Sequence, residues 1–213
     1  MAMNMVKLPT KDPNLFLRVS KGHFATSHSH INYYIDVTTQ KTRLSEAKAV
    51  AHALVANYAH TTIVDTILCL DGTEVIGTCL AEALTADEFR NMNAHQTIYI
   101  VTPEHTNSSQ LIFRDNILSM IKGKNVLILA ASVTTGYTAQ AAIEAVNYYG
   151  GIVAGVSAIF ATVEKCQAYP VTSIFNPHDL PDYETHDSVT CPWCKARQKI
   201  DALVNSHGYS ELK

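Results

Sequence analysis

The amino-acid sequence predicts an α/β fold in which helices flank a parallel β-sheet. Strand-like apolar segments alternate along the chain with segments that carry apolar residues at helical spacing. The predicted strands of the sheet are residues 63–70, 97–102, 126–131 and 152–160. Residues 126–131 are apolar without a break, which is typical of a strand covered on both faces. Strands that alternate with helices favour right-handed crossovers within one parallel sheet.

The remaining elements are predicted from local signals. Helices are predicted at residues 14–19, 45–58, 74–84 and 138–149. Ser45 is expected to cap the second of these helices, because a hydroxyl at the N-cap accepts a hydrogen bond from a free backbone N–H. The adjacent Gly150 and Gly151 are expected to end the last helix. A further strand is predicted at residues 33–37, close to the N-terminus.

The chain of 213 residues is expected to form a single domain that covers residues 1–213. No repeat, linker or low-complexity segment divides it. The sheet and its helices are expected to occupy about residues 41–164. Residues 1–40 and 165–213 are expected to form a small hood over the sheet, built from both terminal segments.

Composition and charge exclude several classes of protein. The net charge is −3 and the lysine and arginine residues are scattered, so the sequence carries no signature of nucleic-acid binding. The apolar runs are far shorter than the roughly 20 residues of a membrane-spanning helix. Only Lys7 and Lys11 accompany a short segment broken by proline, which does not fit a signal peptide. The five cysteines indicate no disulfide framework, and a soluble cytoplasmic protein is expected.

A threonine-rich turn at residues 134–138, with the sequence TTGYT, follows the predicted strand at 126–131. Free N–H groups at the start of the next helix, the positive end of its dipole and the threonine hydroxyls would converge there on a phosphate. Gly136 allows the backbone to approach a ligand closely. The alternative is a turn that only caps the helix. The turn lacks the lysine of a Walker loop, so it is not of that type.

Three predicted loops follow the carboxyl ends of predicted strands, at residues 71–74, 102–105 and 134–138. Ligands of open parallel sheets bind beyond the carboxyl ends of the strands. The three loops are therefore expected to line one rim of the sheet and to form the candidate site.

Four segments resemble the type I phosphoribosyltransferases, and most of all the orotate phosphoribosyltransferases. The apolar strand with the TTGYT turn is similar to the motif that binds 5-phosphoribosyl 1-diphosphate (PRPP). Residues 22–36, which begin G-H-F and end Y-Y-I-D, resemble the amino-terminal stretch of the orotate enzymes. Residues 70–77 resemble the pyrophosphate loop, and the C-P-W-C segment at 191–194 resembles a feature near the end of many members. The matches occur in the right order and span most of the chain.

The resemblance implies a site for PRPP and a base. It assigns the 5′-phosphate to Ser132, Thr134, Thr135, Gly136, Tyr137 and Thr138, the pyrophosphate to Asp71, Gly72 and Thr73, and the base to Tyr33 or Tyr34. His105 would lie on the closing catalytic loop at residues 102–110 and transfer a proton. Mg²⁺ would be held mainly by oxygens of PRPP, with Asp71 or Glu74 nearby. The family also implies a homodimer.

Two departures from the family pattern bear on activity. The family carries two adjacent acids where this chain has Ala130 and Ala131, and the predicted catalytic loop contains no lysine. Each lost electrostatic contact typically lowers the rate about ten- to a thousandfold. The predicted function is orotate phosphoribosyltransferase-like transfer of phosphoribosyl between PRPP and a pyrimidine-type base, with release of pyrophosphate. The alternative is a PRPP- or nucleotide-binding sensor or regulatory protein that is catalytically impaired.

Three histidines near the N-terminus are potential metal ligands. His23, His28 and His30 lie close together in sequence, and His28 and His30 would share one face of a strand. No sequence motif of a known metal site accompanies them. They are expected to bind solvent or substrate oxygens rather than a metal.

Cys191 and Cys194 have the spacing of half a zinc site, but the chain has no second pair of cysteines at this spacing. His178, His186 and His207 could complete such a site only if folding brought them close to the cysteines. The sequence alone therefore assigns no residue as a metal ligand.

Overall fold

The chain folds into two compact units. The computed structural model describes residues 3–86, 91–94, 96–106 and 110–212. The core unit is Gln40–Asn176. The terminal unit combines the segments Met1–Thr39 and Pro177–Lys213.

Strands and helices are numbered along the chain. The strands are β1 Val6–Pro9, β2 Phe16–Ala25, β3 His30–Asp36, β4 Thr66–Cys69, β5 Tyr99–Val101, β6 Glu104–His105, β7 Leu111–Ile112, β8 Asn125–Val133, β9 Ile152–Ala161, β10 Lys165–Cys166, β11 Tyr169–Phe175, β12 Thr185–His186, β13 Ala202–Asn205 and β14 Gly208–Glu211. The helices are α1 Thr38–Thr42, α2 Leu44–Val55, α3 Glu74–Leu84, α4 Tyr137–Tyr148 and α5 Pro192–Lys195, with 3₁₀ helices at Leu118–Met120 and Pro177–Asp179. Within the described residues, no helix has both the length and the apolar character needed to cross a bilayer.

Five parallel strands form the main sheet of the core unit in the order β5-β4-β8-β9-β11. Along the chain these are the second, first, third, fourth and fifth strands of the sheet, which is a doubly wound order. In this order the ligand-binding crevice opens between the first and third strands, at their carboxyl ends. That position lies between β4 and β8. The predicted parallel α/β sheet is confirmed, and its crevice falls between two of the predicted loops.

Residues 165–176 belong to the core unit, whereas the sequence analysis assigned them to the hood. β11 pairs in parallel with β9, from Val171 opposite Val156 to Phe175 opposite Phe160. This pairing satisfies the backbone hydrogen bonds of a fifth strand, and β10 adds an antiparallel edge beside it. The core unit therefore extends to Asn176.

β8 runs through the middle of the sheet and is buried on both faces. On one face, Val126, Ile128 and Ala130 share a hydrophobic cluster with Ile143 and Val146 of α4. Burial of apolar area on this scale is the main favourable contribution to folding. The packing of α4 against β8 fixes the position of the turn that joins them.

α3 packs against the opposite face of the sheet and lies very close to β4. A Cβ atom at Gly77 would come within 2.5 Å of the Cys69 sulfur, so this position of α3 requires glycine. Alternation along β4 places Cys69 on the face opposite Leu68, which belongs to the cluster shared with α4. The close approach of α3 holds the short turn between β4 and α3 in place.

The terminal unit has a separate sheet in the order β12-β3-β2-β13-β14, with β1 also paired to β2. The N-terminal and C-terminal segments meet where β13 runs parallel to β2, with Ala202 opposite Phe24. A small hydrophobic cluster fills this unit and includes Phe24, Ile31, Tyr34, Ala202 and Val204. The unit is thus assembled from two segments that lie far apart in sequence.

The helix predicted at residues 14–19 is wrong, because most of these residues belong to β2. Leu17 and Val19 are buried while Phe16 is partly exposed, so burial alternates with the period of a strand. Nζ of Lys7 lies 4.7 Å from the ring centroid of Phe16, a cation–π contact that covers the outer aromatic ring. An apolar residue on the outer face concealed the alternation in the sequence.

The predicted cap of α2 is also wrong. Arg43 is the N-cap, in an extended conformation with φ −103° and ψ 119°, and no side-chain hydrogen bond caps the helix. Ser45 lies within the first turn. Nη1 of Arg43 instead donates to the buried carboxylate of Glu46 at 3.3 Å. An acid at this position is also favoured by the helix dipole.

Thr73 joins the ends of β4 and β8. Its side chain is fully buried, and its hydroxyl donates to the carbonyl oxygens of Leu70 at 2.8 Å and Leu129 at 3.0 Å. Because Leu70 follows β4 and Leu129 lies in β8, this one hydroxyl ties the first turn of the crevice to the neighbouring strand.

We expect Thr73→Val to lower the free energy of unfolding by about 1–2 kcal/mol, because valine removes a buried donor without changing the side-chain shape. Urea denaturation measures the change. Thr78→Val is the matched control, since the Thr78 hydroxyl lies on the exposed side of α3, and it is expected to change stability by less than about 0.5 kcal/mol. Equal losses in the two variants would contradict the role of Thr73.

Candidate functional site

A turn at residues 134–136 connects the end of β8 to α4. Gly136 is the N-cap of α4 and has a φ of +81°, a left-handed value that favours glycine. The backbone N–H of Gln140 donates to the carbonyl of Gly136 at 2.8 Å. The N–H groups ahead of Gln140 have no acceptor within the helix, and the helix dipole adds positive potential at this end. The start of α4 is therefore suited to an anion.

The carbonyl groups of the same turn point into the fold. Thr162, just after β9, donates from its hydroxyl to the carbonyl of Thr134 at 2.7 Å and from its N–H to the carbonyl of Val133 at 3.0 Å. The Cys166 thiol donates to the carbonyl of Gly136 at 3.6 Å. These contacts fix the negative ends of the peptide dipoles inside the protein, away from the anion position.

The side chains assigned to the 5′-phosphate by resemblance lie together along this turn. The exposed ones are Ser132, Thr135, Tyr137 and Thr138, and the half-buried ones are Thr134 and Gly136. The hydroxyls of the exposed residues are accessible to a ligand and add donors beside the start of α4. The structure thus brings all six predicted residues to one place.

A second turn, at Asp71 and Gly72, follows the neighbouring strand β4. Both residues have left-handed backbones, with φ of +57° and +78°, and the value at Asp71 is uncommon for a residue other than glycine. Nζ of Lys41 donates to the carbonyl of Asp71 at 2.7 Å. A Cβ built at Gly72 would lie 3.8 Å from Nζ of Lys41 and 4.0 Å from a carboxylate oxygen of Glu74. Groups of both charge signs therefore flank this turn.

Lys41 is a residue that the sequence analysis missed. It is 7% exposed and lies on the five-residue helix α1, 30 residues before the turn that it contacts. No local pattern distinguishes this lysine, because its role depends on a contact that only folding creates. Its ammonium group places a cation beside the predicted pyrophosphate position.

The prediction for Thr73 is corrected by its burial. Its hydroxyl is bonded to two carbonyl oxygens inside the fold, so its side chain is not available to a ligand. Thr73 supports the turn from below. Gly72 is exposed and Asp71 is half-buried, so these two residues remain the accessible part of the predicted pyrophosphate loop.

The predicted catalytic loop begins as a β-hairpin. Strands β6 and β7 pair, with His105 opposite Leu111, and the His105 side chain is exposed. Arg114 binds the Glu104 carboxylate through two contacts of 2.6 Å, and this guanidinium lowers the pKa of Glu104. Residues 107–109 of the predicted loop lie outside the described residues. Because the hairpin follows β5, the strand next to β4, His105 belongs to the same edge of the core sheet.

Tyr33 and Tyr34 are packing residues of the terminal unit. The hydroxyl of Tyr33 donates to the carbonyl of Pro181 at 2.9 Å, and its ring stacks on Tyr183 at 6.5 Å between centroids. The ring of Tyr34 packs edge-on against Tyr209 at 5.4 Å, and burial raises the pKa of Tyr34 to about 12. The two side chains lie on opposite faces of β3, as its alternation predicts. Their burial gives no support to the predicted contact with a base.

Ala130 and Ala131, which replace the two acids of the family motif, are core residues. Their exposed fractions are 2% and 1%. Ala130 pairs with Ala158 of β9 in the centre of the sheet. These two strand positions therefore contribute only apolar packing beneath the turn at residues 134–136.

Comparisons with known proteins place this geometry in a fold. A scan against protein-family models and a search of curated proteins found no match. Among solved structures, Mycobacterium tuberculosis orotate phosphoribosyltransferase matches with a TM-score of 0.54 and 18% identity, over 77% of this chain and 92% of that chain. Leishmania donovani UMP synthase matches with a TM-score of 0.56 and 19% identity, over 84% of this chain and 36% of that chain.

A third solved structure extends the match over nearly the whole chain. Trypanosoma brucei adenine phosphoribosyltransferase matches with a TM-score of 0.54 and 12% identity, over 93% of this chain and 99% of that chain. These proteins differ in the base that their names specify, and their sequences are distant from this one. What they share with this chain is the arrangement of the backbone. The protein therefore has the fold of the type I phosphoribosyltransferases.

Proposed function

We propose that this protein transfers a 5-phosphoribosyl group between PRPP and a pyrimidine-type base such as orotate, with release of pyrophosphate. The observation that carries the proposal is the position of two turns, at residues 71–72 and 134–136. They follow adjacent parallel strands at the switch point of a doubly wound sheet. One turn has the features of an anion site, and the other has a buried lysine against it.

In this proposal the 5′-phosphate binds at the start of α4. The free N–H groups of the first helical turn and the hydroxyls of Thr134, Thr135 and Thr138 donate to its oxygens. The Trypanosoma brucei adenine phosphoribosyltransferase was solved with AMP, pyrophosphate and ribose 5-phosphate, which are ligands of the class proposed here. Anchoring the phosphate orients the sugar for reaction, because a bound reactant no longer loses its freedom of motion in the transition state.

The pyrophosphate binds at the turn of Asp71 and Gly72. As the bond to the sugar breaks, negative charge develops on the departing pyrophosphate, and a preorganised cation stabilises it. Lys41 is held in place for this role by its 2.7 Å bond to the Asp71 carbonyl. This lysine supports the proposal because the predicted catalytic loop contains none.

The residues present also fit Mg²⁺, which prefers oxygen ligands and usually keeps oxygens of a phosphate substrate in its coordination shell. The carboxylates of Asp71 and Glu74 lie at the pyrophosphate turn. In the proposal they hold the hydrated ion, while PRPP oxygens supply most of its ligands. When bound, Mg²⁺ neutralises part of the pyrophosphate charge.

The hairpin of β6 and β7 closes over the reacting atoms in this proposal, and His105 exchanges a proton with the base or with pyrophosphate.

The choice of a pyrimidine-type base rests on the resemblance of residues 22–36 to the orotate enzymes. By the same resemblance we propose a cytoplasmic homodimer.

The second candidate function is a sensor that binds PRPP or a nucleotide without efficient turnover. Ala130 and Ala131 favour it, because the family places there the acids that hold the ribose hydroxyls. Without them, the phosphate turn binds the ligand but the sugar is positioned less firmly. Transfer remains the first proposal because Lys41 and His105 supply a cation and a proton carrier.

The deciding experiment follows pyrophosphate release from PRPP with Mg²⁺ and either orotate, uracil or adenine as the base. We expect turnover with orotate that exceeds turnover with adenine. Saturable binding of PRPP without turnover on any base would favour the sensor. Absence of both binding and turnover would contradict the two candidates together.

Gly136→Ala tests the phosphate turn. Alanine at φ +81° is strained by about 1–2 kcal/mol and displaces the start of α4, so we expect PRPP affinity to fall by about tenfold. Gly123→Ala is the matched control, because Gly123 also has a left-handed φ of +69° and a Cβ there meets nothing within 4 Å. Urea denaturation is expected to show comparable losses of stability in the two variants, and calorimetric titration is expected to show loss of affinity only at Gly136. An equal affinity for PRPP in both variants would place the phosphate elsewhere.

Ala130→Asp tests whether the family acids are compatible with this core. We expect it to lower the free energy of unfolding by about 3 kcal/mol or more at neutral pH, because β8 offers no cation to a buried carboxylate. Ser132→Asp, on the exposed end of the same strand, is expected to change it by less than about 0.5 kcal/mol. Urea denaturation measures both. A stable Ala130→Asp variant with raised turnover would show that this position opens to the ligand.

A further inference from the structure

Four potential metal ligands meet inside the terminal unit. They are His23 and His30 from the N-terminal segment and Cys191 and Cys194 from the C-terminal segment, and their ligand atoms all lie within 4.8 Å of one another. His23 and Cys191 are fully buried, His30 is 8% exposed, and Cys194 is the exposed member. Cys194 follows His30 by 164 residues, so spacing along the chain does not reveal the cluster.

Four distances between ligand atoms of the cluster, from 3.0 to 3.7 Å, lie in or just below the range of the edges of a zinc coordination tetrahedron. Nε2 of His23 lies 3.0 Å from Nδ1 of His30, 3.6 Å from the Cys191 sulfur and 3.7 Å from the Cys194 sulfur. The Cys194 sulfur lies 3.2 Å from Nδ1 of His30. Zinc bonds of about 2.0–2.1 Å to nitrogen and 2.3 Å to sulfur place tetrahedral ligand atoms about 3.3–3.8 Å apart. One ion fits between the four atoms.

The orientation of His23 is fixed by groups outside the cluster. Its Nδ1 lies 3.2 Å from the carbonyl oxygens of both Gln198 and Lys199, and since carbonyls only accept, Nδ1 carries the hydrogen. Nε2 therefore carries the lone pair of the neutral ring, and this nitrogen faces the cluster. The backbone N–H of His23 donates to the Asp201 carboxylate at 2.7 Å, and the N–H of Asp201 donates to the His23 carbonyl at 2.7 Å. Hydrogen bonds of this kind orient the ligands of built metal sites.

The two cysteines are held by a short helical turn. Cys191 is the N-cap of α5, and its N–H donates to the carbonyl of Asp187 at 2.9 Å. Cys194 lies three positions later, on the same side of the turn. The ring of Trp193 packs 5.4 Å from the ring of His23 and shields the cluster.

We propose that His23, His30, Cys191 and Cys194 bind one Zn²⁺ as a structural site. Two thiolates and two imidazoles are a common ligand set for tetrahedral zinc, and four protein ligands leave no position for a reactive water. A two-iron cluster with the same residues would bind its histidines to one iron and its cysteines to the other. Here Nε2 of His23 lies close to both sulfurs, which fits a single shared ion.

The bound ion connects the two segments of the terminal unit. β2 and β13 are joined directly at only two residue pairs, Ala202 with Phe24 and Leu203 with Ala25. A cross-link between distant segments reduces the entropy that the unfolded chain gains, and the free energy of metal binding adds to that of folding. This inference goes beyond the proposed transfer reaction and does not depend on it.

The first test measures the metal content of the wild-type protein, prepared with its thiols reduced and without a metal-binding tag. We expect one zinc per chain by plasma mass spectrometry. After chelation, titration with Co²⁺ is expected to produce the intense visible absorption of a tetrahedral site together with a thiolate charge-transfer band. Iron in place of zinc would overturn the proposal. A protein that contains no metal and forms a Cys191–Cys194 disulfide even in reducing buffer would also overturn it.

The second test compares Cys194→Ala with His28→Ala. Cys194 is exposed, so its replacement leaves the core intact, while His28 is an exposed histidine between β2 and β3 that stands outside the cluster. We expect zinc affinity to fall by at least about 100-fold in Cys194→Ala and to stay unchanged in His28→Ala. Chelation is expected to lower the melting temperature of wild type and His28→Ala, but not of Cys194→Ala. Full zinc content in Cys194→Ala would remove this cysteine from the site and overturn the proposal.

Discussion

The carbonyl oxygen of Leu129 is the point on which the geometry of the crevice depends. It accepts hydrogen bonds from the N–H of Leu70 at 2.8 Å and from the hydroxyl of Thr73 at 3.0 Å. One strand thereby supplies the anchor for the turn after β4 and continues directly into the turn before α4. The spacing of the two turns is therefore set by a single register between neighbouring strands, with Cys69 opposite Leu129. A shift of that register would change the spacing of the two turns.

The parts of the molecule that the sequence predicted are those encoded by neighbouring residues. The helix at 74–84 and the buried strand that leads to the TTGYT turn both depend on short-range periodicity. The strand at the start of β2 was predicted as a helix, because an outward-facing Phe16 hides the alternation. A cation–π contact with Lys7, a residue of another strand, allows that aromatic ring to stay on the outer face.

The parts that sequence reasoning missed depend on long-range contacts. Lys41 is identified as a candidate site residue by its contact with the Asp71 carbonyl. The Thr73 hydroxyl, which was predicted to face a ligand, instead donates to two carbonyl oxygens inside the fold. His23 and Cys191 were each noted as potential metal ligands, but the sequence did not indicate that they meet. In each case the residue type was visible, while its partner was determined by the packing of distant segments. Such partners follow from the whole fold and not from any window of the sequence.

The turn before α4 and the strand that leads into it differ in the polar groups that they expose. The turn has inward carbonyls, N–H groups without an acceptor in the helix and accessible hydroxyls, whereas the strand has alanines packed into the sheet. Stability and ligand recognition favour different residues at those strand positions, because a carboxylate there loses its hydration. Alanine at both positions favours the stability of the sheet. A bound sugar would then have to be positioned by groups at the rim of the sheet.

The division of the terminal unit between both ends of the chain also has a consequence for biosynthesis. During translation, Met1–Thr39 is synthesised well before its partners in Pro177–Lys213. Throughout that interval β2 lacks the neighbour that β13 will provide. The core unit lies between the two segments in sequence, so it has the opportunity to fold first, as domains generally do during synthesis. The terminal unit is then completed only after the core unit has been translated.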